Sequence, residues 1–481
     1  MPAHKSDHAE GDAFRTEHDS MGAVLVPHGA YYGATTQRAV ENFPISGLRM
    51  PQSFIHAMAA IKQAAAESNA ELGLVDATVA GAIVSATEEI LDGKFAEHFP
   101  VDVFQTGSGT STNMNVNEVI ASRAREILAG TRDNRNLVHP NDHVNRGQSS
   151  NDVIPTATHV ASAVEITDTL LPALLALERS LRRKARQFAK VVKTGRTHLQ
   201  DATPITLGQE FSGYAAQIAN AIKHLKYARS RLSYVALGGT AVGTGINAHP
   251  DFARLTLLKL SKRLGVKFRE ATNHFQAQAT LDEIVVTSGA LKTLAVSLIK
   301  IANDLRHLGS GPRAGLGELV LPEVQPGSSI MPGKVNPVIA ESVCMVAARV
   351  IGNDQTIAIA GQSGLFELNV MQPVAAHALL ESIALLAKSA DNFRLRLIDG
   401  LEATDRGPRL VEEGLMLATA LTPAVGYDKA AEIAHEAATT GETIRQVALR
   451  TSGLSEKELE VLLDPMSMVT NKPRRKSNRR K

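Results

Sequence analysis

The sequence predicts a mainly α-helical protein built around a central bundle of long helices. Three observations carry this expectation. Between about residues 153 and 400, apolar residues recur three and four apart in five long stretches, and a bundle is the economical way to bury five such stripes. Aromatic residues make up only 4% of the 481-residue chain and Trp is absent, so Ala, Leu, Val and Ile must fill the core. Only two short segments, Ala23 to Val26 and Val101 to Gln105, read as β or extended structure.

Residues 1–18 lack periodicity and read as a flexible extension. Pro51 to Leu91 is rich in Ala, with Ile55, Met58, Ala59 and Ile61 at helical spacing, and reads as two helices split at Gly73. A further helix is expected from Asn113. After Asp152 come Val160, Val164, Leu170, Leu171, Leu174, Leu177 and Leu181, with a kink at Pro172. Leu291, Leu294, Leu298, Ile301 and Leu305 mark another long helix, and Leu379, Leu380, Ile383 and Leu386 a third. The stretches after Leu207 and after Pro337 complete the five. Several are apolar over more than one face, as helices buried against other subunits would be. The domain boundaries expected are 19–148 for an N-terminal mixed helical domain, 149–405 for the central bundle and 406–470 for a small C-terminal helical domain.

Bulk properties narrow the function. The hydrophobic share of 44% and charged share of 21% suit a globular enzyme. The formal charge is +2, yet the last ten residues carry seven positive charges, which leaves the rest near −5. That tail, 471–481, reads as a solvated, disordered end; no aromatic interleaves with it, so no nucleic-acid partner is expected. Cys344 is the only cysteine, which excludes intrachain disulfides and clusters held by several cysteines. No signal peptide is visible and no uncharged apolar run approaches the ~18 residues of a membrane span, so a cytoplasmic location without membrane contact is expected. Metal-ligand spacing, a phosphate-binding loop, a dinucleotide fingerprint and a serine elbow are all missing, and no metal or cofactor is expected.

Four polar blocks interrupt the helices. Gly107 to Thr112 (GSGTST) is a glycine loop at the head of a helix, where backbone amides and hydroxyls suit a carboxylate. Asn136 to Asp152 (NLVHPNDHVNRGQSSND) is almost wholly polar. Thr197 and His198 stand near Pro204 and Gly208, at a bend between helices. Gly327 to Pro337 (GSSIMPGKVNP) combines paired hydroxyls, glycines, a lysine and an asparagine, then turns into helical sequence. Asn336 is expected to cap that helix, with Pro337 at its first position.

The string GSSIMPGKVNP resembles the signature of the fumarase and aspartase superfamily, and the other blocks follow in that superfamily's usual order. From about Met21 to about Met468 the chain resembles the class II fumarases. The resemblance implies their three-domain fold, in which the helix bundle forms the core of a homotetramer and three subunits each lend a block to one active site. It implies reversible addition of water to fumarate to give L-malate, a step of the tricarboxylic acid cycle, through a carbanion. Ser328 would take the proton, His198 would act on the departing hydroxyl, and Glu341 would pair with His198. Ser108, Gly109, Thr110, Ser149, Ser150, Asn151, Thr197, Ser329, Lys334, Val335 and Asn336 would hold the dicarboxylate. His139, Pro140, Asn141 and Asp142 correspond to a secondary dicarboxylate site near the entrance. Gly147 replaces a serine common among relatives, and Tyr31 and Tyr32 replace a common Leu-Trp.

The chemistry is coherent with these residue types. Removing a proton beside a carboxylate leaves a dianionic centre that needs fixed positive charge and hydrogen-bond donors, which Lys334, Asn336 and loop amides supply. An imidazole, with an unperturbed pKa of roughly 6.5, both gives and accepts protons near neutrality. Aspartate ammonia-lyase shares the signature and is the main alternative; His139 to Asp142, the Asn273 to Ala279 string NHFQAQA and the Phe366 to Val370 run favour the hydratase. A non-catalytic binding or assembly role is the alternative of another class.

Overall fold

The structure is a computed structural model that describes residues 13–469. The expected basic tail and residues 1–12 of the expected extension lie outside the described residues. By Cα packing the chain forms two compact units that alternate along the sequence. The first comprises the described parts of Met1–Pro172, with Lys223–Ala295 and Ala347–Ala387. The second comprises Ala173–Ile222, Val296–Val346 and the described part of Lys388–Lys481.

The first unit opens with strands β1 (Phe14–Asp19) and β2 (Gly22–Pro27), paired antiparallel from Phe14↔Pro27 to Asp19↔Gly22. This corrects the expectation of a flexible extension for residues 14–18. The strand escaped periodicity because polar bonds rather than apolar burial hold it. The Arg15 guanidinium donates to the carbonyls of Pro27 (2.8 Å), Ala30 (2.8 Å) and Tyr32 (2.7 Å). Helices α1 (Ala34–Asn42), α2 (Gln52–Glu71), α3 (Ala77–Leu91) and α4 (Thr110–Ala129) follow. The split at Gly73 is present, with that residue at φ 69°, and Asp76 caps α3 by accepting from Thr78 N at 2.8 Å. The extended segment expected near Val101 reduces to one bridge, Arg49↔Asp102.

Helix α5 (Ser150–Glu165) passes through a π-helical turn at Ile166–Leu170 into α6 (Leu171–Gln187). The break expected at Pro172 therefore falls in the turn before it. Proline has no N–H for the ladder, and the preceding turn widens, with Leu171 N reaching back to Ile166 O. Strands β3 (Val192–Thr197) and β4 (Gln200–Thr206) form an antiparallel hairpin in the second unit. The remaining helices that concern the site are α7 (Leu207–Arg231), α8 (Phe252–Leu264), α9 (His274–Ala279), α10 (Asp282–Leu308), α11 (Val338–Gly361) and α12 (Gln372–Arg396).

The apolar stripes read from the sequence are the buried faces. Leu291, Leu294, Leu298, Ile301 and Leu305 of α10 are buried, as are Leu379, Leu380, Ile383 and Leu386 of α12. Within the first unit, Asp354 on α11 accepts from Ser288 (2.8 Å) and Lys292 (2.6 Å) on α10. Asn353 donates to Glu381 (2.7 Å) and Ser382 (3.0 Å) on α12. In the second unit, Val411, Leu417, Leu421, Ile433, Ile444, Val447, Leu459 and Leu463 form a separate apolar cluster. Ser150–Gln187, Asp282–Leu308 and Val338–Gly361 are long and apolar enough to cross a membrane by length and composition, although charged residues interrupt each of them. Val285, Val286, Val296, Met345 and Ile359 on these helices stand exposed.

Helix α1 has no side-chain cap of its own; Glu118 from α4 takes that role. Its carboxylate accepts from Gly33 N (2.9 Å), Thr35 N (3.1 Å), Thr36 N (3.2 Å) and Thr36 Oγ1 (2.6 Å). Truncating it strands these donors. Glu118→Ala is expected to destabilise the protein by about 3 kcal/mol, read as a lower melting temperature, whereas Glu41→Ala on the exposed end of α1 leaves it within error.

Candidate functional site

Two of the polar blocks meet in the first unit. Gly109 caps α4 in a left-handed conformation (φ 74°), which its neighbour also demands, because a Cβ there would meet the Ile154 side chain at 2.9 Å. Ser108 Oγ donates to Thr110 Oγ1 at 3.2 Å, and Thr110 Oγ1 shares a very short hydrogen bond with Ser150 Oγ on α5. The head of α4 and the head of α5 thus face each other through hydroxyls. The first amides of each helix have no intrahelical acceptor, and this is the setting in which a carboxylate binds. Ser149 caps α5, accepting from Asn151 N at 3.2 Å, and Asn151 Nδ2 donates to Ala241 O at 2.8 Å. An open cleft lined by Asn145, Ser149, Thr240 and Asn247 adjoins them.

Behind this cradle lies a buried polar knot that the sequence reading did not single out. The Asp152 carboxylate, completely buried, accepts from Ser149 N (2.9 Å), Gly238 N (3.1 Å) and Thr240 N (2.9 Å). Burial pushes its pKa up to about 6, against the pull of those N–H groups and of Lys62. Lys62 on α2, also completely buried, donates to Asn113 Oδ1 (2.9 Å) and Asn145 Oδ1 (2.8 Å), and burial lowers its pKa to about 7. The NHFQAQA string supports the same knot: Gln278 Nε2 donates to Thr240 O at 2.8 Å, and His274 bonds Ala236 O at 2.9 Å. One signal was available, since Ser-x-x-Asp at 149–152 is a capping-box pattern. Gly147 sits at φ 73°, a conformation that favours glycine.

His139 to Asp142 form a π-helical turn, Pro140–Val144, capped by His139, whose Nδ1 accepts from Asn141 N and Asp142 N at 3.2 Å each.

In the second unit, Thr197 ends β3 and His198 occupies the tip of the β3–β4 hairpin, not a bend between helices. His198 (φ 57°) and Leu199 (φ 61°) are the two central residues of a tight turn, both left-handed, a geometry that Asn and Gly adopt more readily. Such strain costs on the order of 1–3 kcal/mol per residue and persists where the surroundings enforce it. Here Arg196 donates to the buried Glu318 at 2.6 Å, and Lys193 lies 3.5 Å from Glu318 and 3.3 Å from Glu210. His198 is exposed and makes no side-chain hydrogen bond among the described residues.

The Gly327–Pro337 loop closes on itself. Gly327 N donates to Lys334 O (3.0 Å), and Asn336 Nδ2 donates to Gly327 O (2.6 Å). Asn336 therefore fastens the loop instead of capping the helix by its side chain. The first helical bond runs from Glu341 N to Pro337 O (3.1 Å), so Pro337 precedes α11 rather than opening it. Within the loop, Ser328 Oγ accepts from Ile330 N (3.2 Å) and Met331 N (3.1 Å). Ser329, Lys334 and Val335 are exposed. The Glu341 side chain, in the first turn of α11, makes no hydrogen bond or ion pair among the described residues, and none joins it to His198. Among the described residues, no group of three His, Cys, Asp or Glu side chains is placed to hold a metal ion.

Gly107 gives the cradle a sharp test. Its carbonyl accepts from Gln372 N at 3.0 Å, and an added Cβ would come within 1.9 Å of Val370 O, a backbone atom. Gly107→Ala is expected to destabilise the protein by about 2 kcal/mol or more. Gly81→Ala, in open space on α3, instead stabilises slightly, and paired melting curves read the difference.

Comparison with known proteins gives one answer throughout. The family model described as "Lyase" matches residues 22–352, and that described as "Fumarase C C-terminus" matches residues 417–470. A class II fumarate hydratase of Nitrosomonas europaea is 52% identical over 459 residues, covering 95% of this chain and 99% of that protein. One from Bradyrhizobium diazoefficiens is 52% identical over 458 residues, covering 95% and 97%. The crystal structure of recombinant class II fumarase from Schistosoma mansoni superposes with a TM-score of 0.92 at 40% identity, covering 95% of this chain and 99% of that one. With the fold, the blocks and the relatives in agreement over nearly its whole length, the chain belongs to the class II fumarate hydratase family.

Proposed function

We propose that the chain catalyses the reversible hydration of fumarate to L-malate, and that Ser328 is its base. The observation that carries the assignment of Ser328 is its hydroxyl, which receives two backbone N–H bonds inside the closed loop. A serine hydroxyl is far too weak an acid to serve unaided. Two N–H donors stabilise the alkoxide over the alcohol, and the positive charge of Lys334 in the same loop adds to this.

In the dehydration direction, the Ser328 alkoxide takes a proton from the methylene carbon of malate. The electron pair left behind spreads into the adjacent carboxylate, where Lys334, Asn336 and the amides around Ser329 and Val335 stabilise the added charge. That pair then forms the double bond as the hydroxyl leaves from the neighbouring carbon. His198 protonates it, so that water departs and fumarate remains. Thr197 and the cradle of Ser108, Gly109, Thr110, Ser149, Ser150 and Asn151 hold the carboxylates. Hydration is the reverse sequence.

The side chains of Glu341 and His198, both without partners among the described residues, pair in the assembled enzyme, where the glutamate sets the imidazole's tautomer. The assembly is a homotetramer whose sites draw on three subunits. The exposed Val285, Val286, Val296, Met345 and Ile359 on the long helices support this, since apolar surface on helices seeks cover. His139 to Asp142 form a secondary dicarboxylate site, and the enzyme works in the cytoplasm.

The deciding assay follows fumarate absorbance with L-malate and L-aspartate in separate cuvettes and no added metal. Fumarate is expected from malate alone; fumarate from aspartate alone would reassign the chain as an ammonia-lyase. Ser328→Ala and His198→Asn should each lower turnover roughly a hundredfold or more while leaving the melting curve intact. Near-normal turnover in folded Ser328→Ala would remove the serine from its role. Sedimentation at assay concentration should give a tetramer, and an active monomer would contradict the shared site.

A further inference from the structure

Lys62 stands where a cation is least expected. On α2 it is surrounded in sequence by Ala59, Ala60, Ile61, Ala64 and Ala65, all completely buried, and is completely buried itself. Its two hydrogen-bond partners are neutral side-chain carbonyls, Asn113 Oδ1 at 2.9 Å and Asn145 Oδ1 at 2.8 Å. No carboxylate lies within ion-pair distance of it among the described residues. Asp152 is the acid whose field reaches it, and that carboxylate is already occupied by three backbone N–H groups. An ammonium carries three N–H donors, so one remains after the two amides.

Both amides belong to the cradle's supports. Asn113 lies in the first turn of α4, three residues after Thr110. Asn145 lies four residues before Ser149, and its Nδ2 donates to Gln148 O at 3.2 Å. The two amides also touch each other, Asn113 Nδ2 to Asn145 Oδ1 at 3.3 Å. A cation desolvated without a paired anion is costly to keep, and a protein that keeps one places a positive field at that point. Through these two amides the ammonium is joined to the segments that carry the Thr110 and Ser150 hydroxyls, which meet at the heads of α4 and α5.

We propose that Lys62 is a positioning residue and the buried countercharge of the dicarboxylate cradle, joining the head of α4 to the loop before α5 and attracting the substrate's carboxylate from behind. This rests on the cradle assigned above. Lys62 touches no substrate atom; it acts through Asn113, Asn145 and its charge.

The test measures calorimetric binding of succinate, a saturated four-carbon dicarboxylate, to the full chain. Three variants are compared with the unaltered protein. Lys62→Gln keeps a donor and removes the charge. Asn145→Asp keeps Lys62 and gives its ammonium a carboxylate partner of the same shape. Asn151→Ala probes the cradle itself. Lys62→Gln and Asn145→Asp are expected to weaken succinate binding roughly tenfold, measured well below each variant's melting temperature. A merely structural Lys62 would lower the melting temperature and leave that affinity alone. If Lys62→Gln does not fold, Asn145→Asp decides by itself. An Asn145→Asp affinity within twofold of the unaltered protein, with Asn151→Ala impaired, overturns the proposal and leaves the cradle standing. If Asn151→Ala also binds normally, the cradle assignment falls and the proposal with it.

Discussion

Everything in the first unit's candidate site hangs on the hydrogen bonds to one carboxylate. Asp152 accepts from the amide that begins its own helix and from two amides of the Gly238–Thr240 segment, nearly ninety residues on in sequence. A hydrogen bond to a charged group is worth about 1.5–3 kcal/mol, and three of them offset much of what burial of the carboxylate costs. Because those amides are fixed, the head of α5 is fixed, and Ser150 is held against Thr110. The surrounding residues complete the constraint. Gln278 holds the carbonyl of Thr240, and Gly239 leaves room for that glutamine, since a Cβ there would come within 2.0 Å of Gln278 Oε1.

The long helices were legible because their signal is local. An apolar stripe such as Leu291 to Leu305 states its period within four turns, and the buried face is the one the stripe names. The β3–β4 hairpin was not legible for the opposite reason. Its strands carry Lys193 and Arg196, polar residues whose partner is Glu318, more than a hundred residues away in sequence. β1 was hidden in the same way by the polar bonds of Arg15. Lys62 vanished into an alanine-rich helix, since periodicity sees one charge in an apolar run as noise.

The blocks of the site were legible as strings, but the strings did not tell which residues are scaffold. Asn336 illustrates the gap. Its place before a proline and a helical run signals a cap, yet its amide closes the loop on Gly327. Local propensity proposed one use of the side chain, and the need to satisfy a loop carbonyl imposed another.

Hydrogen-bond occupancy then separates two kinds of polar residue. Asp152, Ser149, Asn336 and Glu318 have partners within the chain, and each holds a backbone segment or another side chain in place. His198, Ser329, Lys334 and Glu341 make no side-chain hydrogen bond among the described residues and stand wholly or partly in solvent. A group that must give or take a proton, or meet a charge that exists only in passing, cannot be tied to a permanent partner without weakening its contribution to the transition state. What it needs is a rigid mount, and in the role proposed for His198 the hairpin supplies one through the Lys193–Glu318–Arg196 ion cluster. Ser328 falls between the two kinds: its oxygen is engaged, but only as an acceptor from backbone N–H groups. Accepting from N–H groups favours a negative charge on the oxygen, the state Ser328 has to reach in the role proposed for it.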